Sequence, residues 1–91
     1  MSLKFEWHPH KAAQNRRKHK VSFEEASTVF AAPLSATVFD PDHSGEEDRY
    51  ITVGYSAQQR LLMVSHTERG DRIRIISARQ LTPLERQEYE A

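Results

Sequence analysis

The chain has 91 residues, no cysteine and a formal net charge of zero, with 37% hydrophobic and 29% charged residues. This length predicts a single domain, residues 1–91, with one modest core. The lack of cysteine excludes disulfides and thiolate metal sites, and no apolar run approaches the ~18 residues needed to cross a bilayer. Because the sequence starts without the apolar segment of a signal peptide, we expect a cytoplasmic protein with no membrane partner.

The zero net charge hides four blocks of alternating sign. Residues 1–20 carry a net charge of +5, residues 21–48 carry −7, residues 49–81 carry +4 and residues 82–91 carry −2. Blocks of opposite sign produce strong local fields in a neutral protein. One interpretation is that a basic surface holds a polyanion while an acidic surface meets another partner. The alternative is that the blocks neutralise each other across the fold.

The first half of the chain predicts a strand followed by two helices. Residues 3–7 alternate between apolar and charged side chains, which is typical of a strand. Pro9 suits a first helical turn, and residues 11–19 continue without a helix breaker. Ser22 and Glu25 form a capping box for the second helix, in which the hydroxyl accepts from the amide of residue 25 and the carboxylate reaches back.

The second half predicts an antiparallel meander and a last helix. Tight turns are expected at 56–59 and at 68–71, where Gly70 can adopt a positive φ. Thr82 and Glu85 form another capping box, which begins the last helix. The fourth strand has the apolar run of a central strand covered on both sides. Strands are expected at 35–39, 49–55, 61–67 and 72–77. The order β-α-α-β-β-β-β-α indicates an α+β fold with helices on one face of a small, mostly antiparallel twisted sheet.

The segment with the clearest chemistry is the arginine-rich strand near the end of the chain. Arg72 and Arg74 alternate with isoleucines, the pattern of a strand with one wet and one dry face. Because a charged face is costly to bury, these arginines point at solvent or at an anion. Arg79 follows where the predicted strand ends, and its guanidinium fork suits phosphate oxygens.

Short strings along nearly the whole chain resemble the BrnT-type toxins. Arg16-Arg-Lys-His19 followed by Val21-Ser-Phe-Glu-Glu-Ala26 resembles the KHGVSFEEA segment of that family. Each string alone is weak evidence, but their common order makes the resemblance strong. The further matching strings are Lys4–Trp7, Glu46–Tyr50, Val53–Gly54, Arg60–Val64, His66–Thr67, Arg74–Arg79 and Glu85–Tyr89.

The resemblance implies a RelE-like fold and a ribonuclease toxin of a type II toxin–antitoxin pair. It implies metal-independent RNA cleavage that inhibits translation, with RNA as the substrate and no cofactor. It also implies a cognate antitoxin that neutralises the toxin and carries the contact with operator DNA.

Two positions depart from the family pattern at the ends of the first helix. His8 stands where the family commonly has Asp, so we expect this helix to lose its usual N-cap. Lys20 stands where the family usually has the glycine that closes the helix, which predicts a positive φ that strains a non-glycine residue.

RNA cleavage without a metal needs a base for the 2′-hydroxyl proton, cations for the phosphorane and an acid for the leaving 5′-oxygen. Arg49, Arg69 and Arg79 are candidates for phosphate and transition-state contacts, because arginine is permanently charged and bidentate. His66 and His19 are candidates for proton transfer, since histidine has the ordinary pKa nearest neutrality. The full candidate set is Lys18, His19, Arg49, His66, Arg69 and Arg79.

Each candidate also has a structural interpretation. His66 could be a hydrogen-bonded sheet residue, and His19 could only stabilise the C-terminus of a helix. His8 and His10, with His19 or His43, lack the spacing of a metal site, so we expect no metal. The same cations would also suit a non-catalytic module that binds nucleic acid or protein, which is the alternative function.

Overall fold

A mixed five-stranded sheet with three helices forms the fold within the residues that the structure, a computed structural model, describes: 3–45 and 47–90. The α+β class and the predicted order of elements are confirmed. The elements are β1 (Lys4–Glu6), α1 (Pro9–His19), α2 (Phe23–Thr28), β2 (Ala36–Phe39), β3 (Arg49–Tyr55), β4 (Leu61–Arg69), β5 (Arg72–Gln80) and α3 (Pro83–Glu90), with 3₁₀ turns at Val29–Ala31 and Pro41–His43. None of these helices combines the length and apolar character that a bilayer crossing requires.

The sheet has the strand order β1-β5-β4-β3-β2. β1 pairs with β5 in parallel, and the other neighbours are antiparallel, so the predicted meander is confirmed. Gly70, with φ of 61°, makes the tight turn between β4 and β5. β5 runs to Gln80, past its predicted end, so Arg79 lies within the strand rather than after it. β4 is central as expected.

The core lies between one face of the sheet and the layer formed by α1, α2 and the following 3₁₀ turn. Because strand side chains alternate between faces, one set enters this core and the other set lines the opposite face. We call that opposite side the open face; its residues include Ile51, Val53, Met63, Ser65, Ser77 and Arg79. The expectation that β4 is covered on both sides is therefore wrong. The buried core residues are Val21, Phe23, Ala26, Val29, Leu62, Val64, Ile75 and Ala78.

The ends of α1 show how the chain handles its two departures from the family pattern. His8 is the N-cap, and its Nδ1 accepts a hydrogen bond from the backbone N–H of His10 at 3.1 Å. The expected loss of the cap is wrong, because an imidazole nitrogen takes the place of a carboxylate oxygen. Lys20 has φ of 60°, and its N–H donates to the carbonyl of Arg16, which confirms the predicted left-handed end.

The capping box of α2 forms in only one direction. Ser22 Oγ accepts from the N–H of Glu25 at 3.0 Å, as predicted. The prediction of the reciprocal bond is wrong, because the buried carboxylate of Glu25 turns inward to the guanidinium of Arg60 and to Ser56 Oγ. The bond from Arg60 lowers the pKa of Glu25. Arg60 also donates to the carbonyl of Lys20 at 3.0 Å, so one guanidinium joins the β3–β4 turn to both helices.

β1 pairs with only the first part of β5. Farther along β5, its outer edge forms hydrogen bonds with a side chain instead of a neighbouring strand. Asn15 of α1 donates from Nδ2 to the carbonyl of Ala78 at 2.8 Å and accepts from its N–H at 3.1 Å. A third bond, to the carbonyl of Val21 at 3.0 Å, fixes the loop after α1. A buried polar side chain is stable when its groups are paired, and here the pairing attaches α1 to β5.

β5 carries a bulge at the point where it passes this helix. Ser65 pairs with Ser77, but the next residue of β4, His66, pairs with Ile75. Ile76 is therefore the extra residue, and bulges re-aim the side chains beside them.

Candidate active site

A cleft of about 290 Å³ lies on the open face, between the meander and the loop that follows β2. Arg49 enters it from the start of β3 and Arg79 from near the end of β5, so two of the predicted arginines share this cleft. Ser65 and Ser77 lie between them on neighbouring strands. The lining residues are Asp40, His43, Arg49, Ile51, Met63, Ser65, Ile76, Ser77 and Arg79.

Arg79 is held in place by the first turn of α3. Its Nη1 and Nη2 donate to the two carboxylate oxygens of Glu85 at 2.8 and 3.0 Å, a bidentate pair. Thr82 and Glu85 complete the predicted capping box in both directions. The bond from Arg79 is the main reason that the pKa of Glu85 falls to about 2. Nη1 also donates to the carbonyl of Gln80 at 3.2 Å and Nη2 to Met63 Sδ at 3.3 Å, so Arg79 is well positioned but both of its Nη groups are already occupied.

Arg49 joins this cleft to a second, more open one of about 570 Å³. The second cleft is lined by His43, Gly45, Glu47, Arg49 and Arg69, so it brings in the third predicted arginine. Arg69 donates to Glu47 at 3.4 Å, a weak and exposed contact. Arg49 has no ion pair with any described residue, which leaves its guanidinium available to an anion.

The loop after β2 brings a histidine–aspartate pair to the rim of the cleft. His43 Nδ1 lies 2.8 Å from Asp40 Oδ2, with side-chain exposures of 68% and 12%. Because a carboxylate only accepts, the imidazole donates from Nδ1 and leaves the lone pair of Nε2 to the solvent. Ser44 fixes this turn to β3: its Oγ donates to the carbonyl of Asp40 at 2.7 Å and accepts from the N–H of Arg49 at 3.0 Å.

His66, a predicted proton-transfer residue, lies on the other face of the sheet. Its ring is 4% exposed and packs edge-on against Phe30, with 4.8 Å between ring centroids. Nε2 is 2.7 Å from the hydroxyl of Thr52, and Nδ1 has no hydrogen-bond partner among the described residues. Burial lowers the pKa of His66 to about 4. The structure thus separates this residue from the cleft that holds Arg49 and Arg79.

Lys18 and His19 lie beside the cleft rather than in it. They line a groove of about 190 Å³ between α1 and β5, which also includes Ile76 and Ser77. Those two residues of β5 line the open-face cleft as well. The attachment of α1 to β5 by Asn15 explains this arrangement, because it places the last turns of α1 next to the bulge.

Three contributors were not predicted from the sequence: His43, Asp40 and Asn15. The spacing Asp-Pro-Asp-His was a usable signal, because an aspartate three residues before a histidine within a turn can reach its ring. The pairing of Asn15 with a residue 63 positions away had no signal in the sequence. Within the described residues, no group of three or more His, Cys, Asp or Glu side chains could hold a metal ion.

Comparisons with known proteins agree with this architecture. The family model for BrnT, described as the ribonuclease toxin of type II toxin–antitoxin systems, matches residues 7–85. The crystal structure of the Brucella abortus ribonuclease toxin BrnT is similar, with a TM-score of 0.66 and 19% sequence identity over 89% of this chain and 99% of that chain. At this identity, the likeness concerns the fold. Curated proteins give no significant match. Because the family model covers most of its length, the chain belongs to the BrnT family of ribonuclease toxins of type II toxin–antitoxin systems.

Proposed function

We propose that this chain is an endoribonuclease that cleaves RNA, without a metal ion, in the open-face cleft. The observation that carries the proposal is the meeting of Arg49 with the His43–Asp40 pair at one cleft. A permanent cation without a described carboxylate partner and an oriented imidazole are what phosphoryl transfer to a 2′-oxygen requires. Membership of the BrnT family supports the same activity.

In the proposed reaction, His43 Nε2 takes the proton from the 2′-hydroxyl. The 2′-oxygen then forms a bond to phosphorus, and the bond from phosphorus to the 5′-oxygen breaks. The leaving 5′-oxygen receives a proton, for which His19 in the adjoining groove is the candidate donor. The products are a 2′,3′-cyclic phosphate and a 5′-hydroxyl. Asp40 is a positioning residue, since it holds the tautomer that leaves Nε2 unprotonated.

The two arginines of the cleft have different parts in this proposal. Arg49 contacts the scissile phosphate directly, because no described carboxylate competes for its fork. Arg79 contributes from the other end of the cleft through its positive charge and through Nε, for which no hydrogen bond to a described residue occurs. Arg69 contacts an adjoining phosphate in the second cleft. Preorganised donors of this kind stabilise the charge of the phosphorane without reorganisation.

A type II toxin implies an antitoxin partner, and we propose that an acidic or amphipathic segment of it covers this cleft. Carboxylates of the antitoxin that pair with Arg49 and Arg69 would compete with the phosphates of RNA for the same guanidinium groups. We further propose that RNA cleavage inhibits translation, and that contact with operator DNA is made by the antitoxin alone.

The proposal is tested by steady-state cleavage of an RNA oligonucleotide by single variants. Arg49→Ala should lower kcat/KM by about 10²–10³, the usual effect of removing one preorganised donor. Arg49→Lys should restore part of the loss, because a point charge replaces a fork. His43→Gln should lower kcat by about 10²–10⁴, the usual contribution of a general base. Arg79→Ala should also lower kcat/KM.

The matched control is Arg72→Ala. Arg72 is exposed, lies on the same strand as Arg79 and has no described ion pair, but it does not line the cleft. The Arg72→Ala variant should cleave RNA at the rate of the original chain. Circular dichroism should show that every variant is folded. Full activity in a folded Arg49→Ala, His43→Gln double variant would contradict the proposal. RNA binding without any cleavage by the original chain would favour a non-catalytic nucleic-acid-binding module.

A further inference from the structure

A basic groove runs between α1 and β5, on the side of the bulge away from Arg49. We call it the α1 groove; its volume is about 190 Å³. The charged and polar side chains on its helix side belong to successive turns of one face of α1. The lining residues are Lys11, Gln14, Asn15, Lys18, His19, Ile76 and Ser77.

The α1 groove adjoins the open-face cleft. Both are lined by Ile76 and Ser77, the bulge residue and its neighbour. The open-face cleft in turn shares His43 and Arg49 with the second cleft. The three clefts therefore adjoin one another in sequence, from the loop before β3, across β4 and β5, to α1.

Positive charge along this path is concentrated where carboxylates are missing. α1 contains no Asp or Glu, and none of its basic residues forms an ion pair with a described residue. Most arginines of the sheet, in contrast, are paired, as Arg74 is with Glu6 at 2.7 Å. Among the described residues, the basic side chains without an ion pair are Lys11, Arg16, Arg17, Lys18, Lys20, Arg49 and Arg72.

We propose that the α1 groove is an extended binding site for the backbone of single-stranded RNA, with Lys11 and Lys18 on successive phosphates beyond the scissile one. The inference rests on the proposed function, because it names the substrate of the same site as a strand several nucleotides long. Ammonium groups act as point charges that follow a phosphate backbone without reading sequence. Gln14 and Ser77 add hydrogen-bonding groups along the same path.

The experiment measures the affinity of the full chain for a fully 2′-O-methylated single strand of about 12 nucleotides, which cannot be cleaved through its 2′-oxygens. Lys11→Gln with Lys18→Gln should weaken binding on the order of tenfold at low salt. The slope of log affinity against log salt should become shallower by about 1.4, since each single-strand phosphate contact contributes about 0.7. A dinucleotide, which is too short to reach α1, should lose much less affinity.

The matched control is the double variant Arg16→Gln, Arg17→Gln. These two arginines lie on the same helix with the same charge, but they line a different surface together with Ala13 and Lys20. The control should leave the affinity for the long strand and its salt slope nearly unchanged. Equal losses in the two double variants would mean that only net charge matters, and would overturn the proposal.

Failure of this inference is distinct from failure of the proposed function, because the assay uses RNA that is not cleaved. Unchanged affinity in the Lys11→Gln, Lys18→Gln double variant would overturn the proposed role of the α1 groove even if the chain cleaves RNA. The predicted loss of affinity in a chain that never cleaves would support the groove and overturn only the proposed reaction. If the variant instead weakens only the complex with the antitoxin, the surface belongs to that protein and the inference is wrong.

Discussion

At the scale of single residues, burial divides the histidines into two kinds. His43 sits at the rim of the cleft with Asp40 fixing one ring nitrogen and solvent reaching the other. His66 packs between Phe30 and Tyr50 in the sheet and forms one hydrogen bond, to Thr52. The first environment suits proton transfer to a substrate, whereas the second favours a neutral ring that stabilises the fold.

The buried histidine predicts a loss of stability in mild acid. An unfolded histidine takes up a proton near pH 6.5, whereas burial lowers the pKa of folded His66 to about 4. Unfolding therefore binds a proton between these values, and the free energy of unfolding decreases as the pH falls from about 6.5 to about 4. A shift of this size corresponds to at most about 3 kcal/mol. Urea unfolding at about pH 7 and about pH 4.5 measures the loss.

His66→Gln is the control for this prediction, because glutamine can still bond to Thr52 but does not titrate. The variant should show a smaller decrease in unfolding free energy over the same pH interval. The carboxylates of Glu25 and Glu85 have lowered pKa values, so their contribution to stability is lost only at lower pH. Both carboxylates are present in the variant as well as in the original protein. Equal pH dependence in the two proteins would show that another group accounts for the acid sensitivity.

The sequence was most informative about residues whose chemistry depends on type alone. Arg49 and Arg79 were predicted to contact phosphate because arginine is charged in every environment. The structure places both side chains in one cleft. His66 could not be placed in the same way. Its position on β4 left either face possible, and the bulge between Ser65 and His66 changes the pairing at that point. Which histidine can transfer a proton depends on burial, and burial is a property of the whole fold.

At the scale of elements, α1 is a helix held mainly by polar contacts. Its cap is an imidazole, its C-terminus is a strained lysine, and its only buried residue is Asn15. A helix this short gains most of its stability from tertiary contacts, which here are the bonds of Asn15 and the packing of Ala12 against the core. The Ser22 cap of α2, the capping box of α3, the left-handed end and the positive φ of Gly70 could all be predicted, because they depend on residues close in sequence. The bulge and the pairing of Asn15 with Ala78 depend on distant residues and could not be predicted.

Lys20→Gly should stabilise the protein by about 0.5–1 kcal/mol. Lys20 has φ of 60°, a conformation that strains a residue with a Cβ but not glycine. The bonds that it makes to Arg16 and Arg60 use its backbone, so they remain in the variant. Thermal or urea unfolding measures the difference. Arg17→Gly, in the interior of α1, should have the opposite sign and cost about 1 kcal/mol. Destabilisation by both substitutions would show that the side chain of Lys20 contributes more than its strain costs.

At the scale of the whole molecule, the charge blocks neutralise each other only in part. Ion pairs between blocks occur at the sheet and its turns, as between Arg60 and Glu25 and between Arg69 and Glu47. The basic block of α1 has no such pair among the described residues. Neutralisation between blocks therefore accounts for most arginines of the sheet, whereas the unpaired charge of α1 supports the proposed path for RNA.

The central claim is that the open face cleaves RNA by attack of the 2′-oxygen, without a metal. The most direct measurement is the chemical identity of the RNA ends formed by the purified chain in the presence of EDTA. Attack by the 2′-oxygen should give 2′,3′-cyclic phosphate and 5′-hydroxyl ends, and no cleavage where the nucleotide before the scissile phosphate is 2′-deoxy. Ends carrying a 5′-phosphate, or cleavage that EDTA abolishes and Mg²⁺ restores, would contradict it.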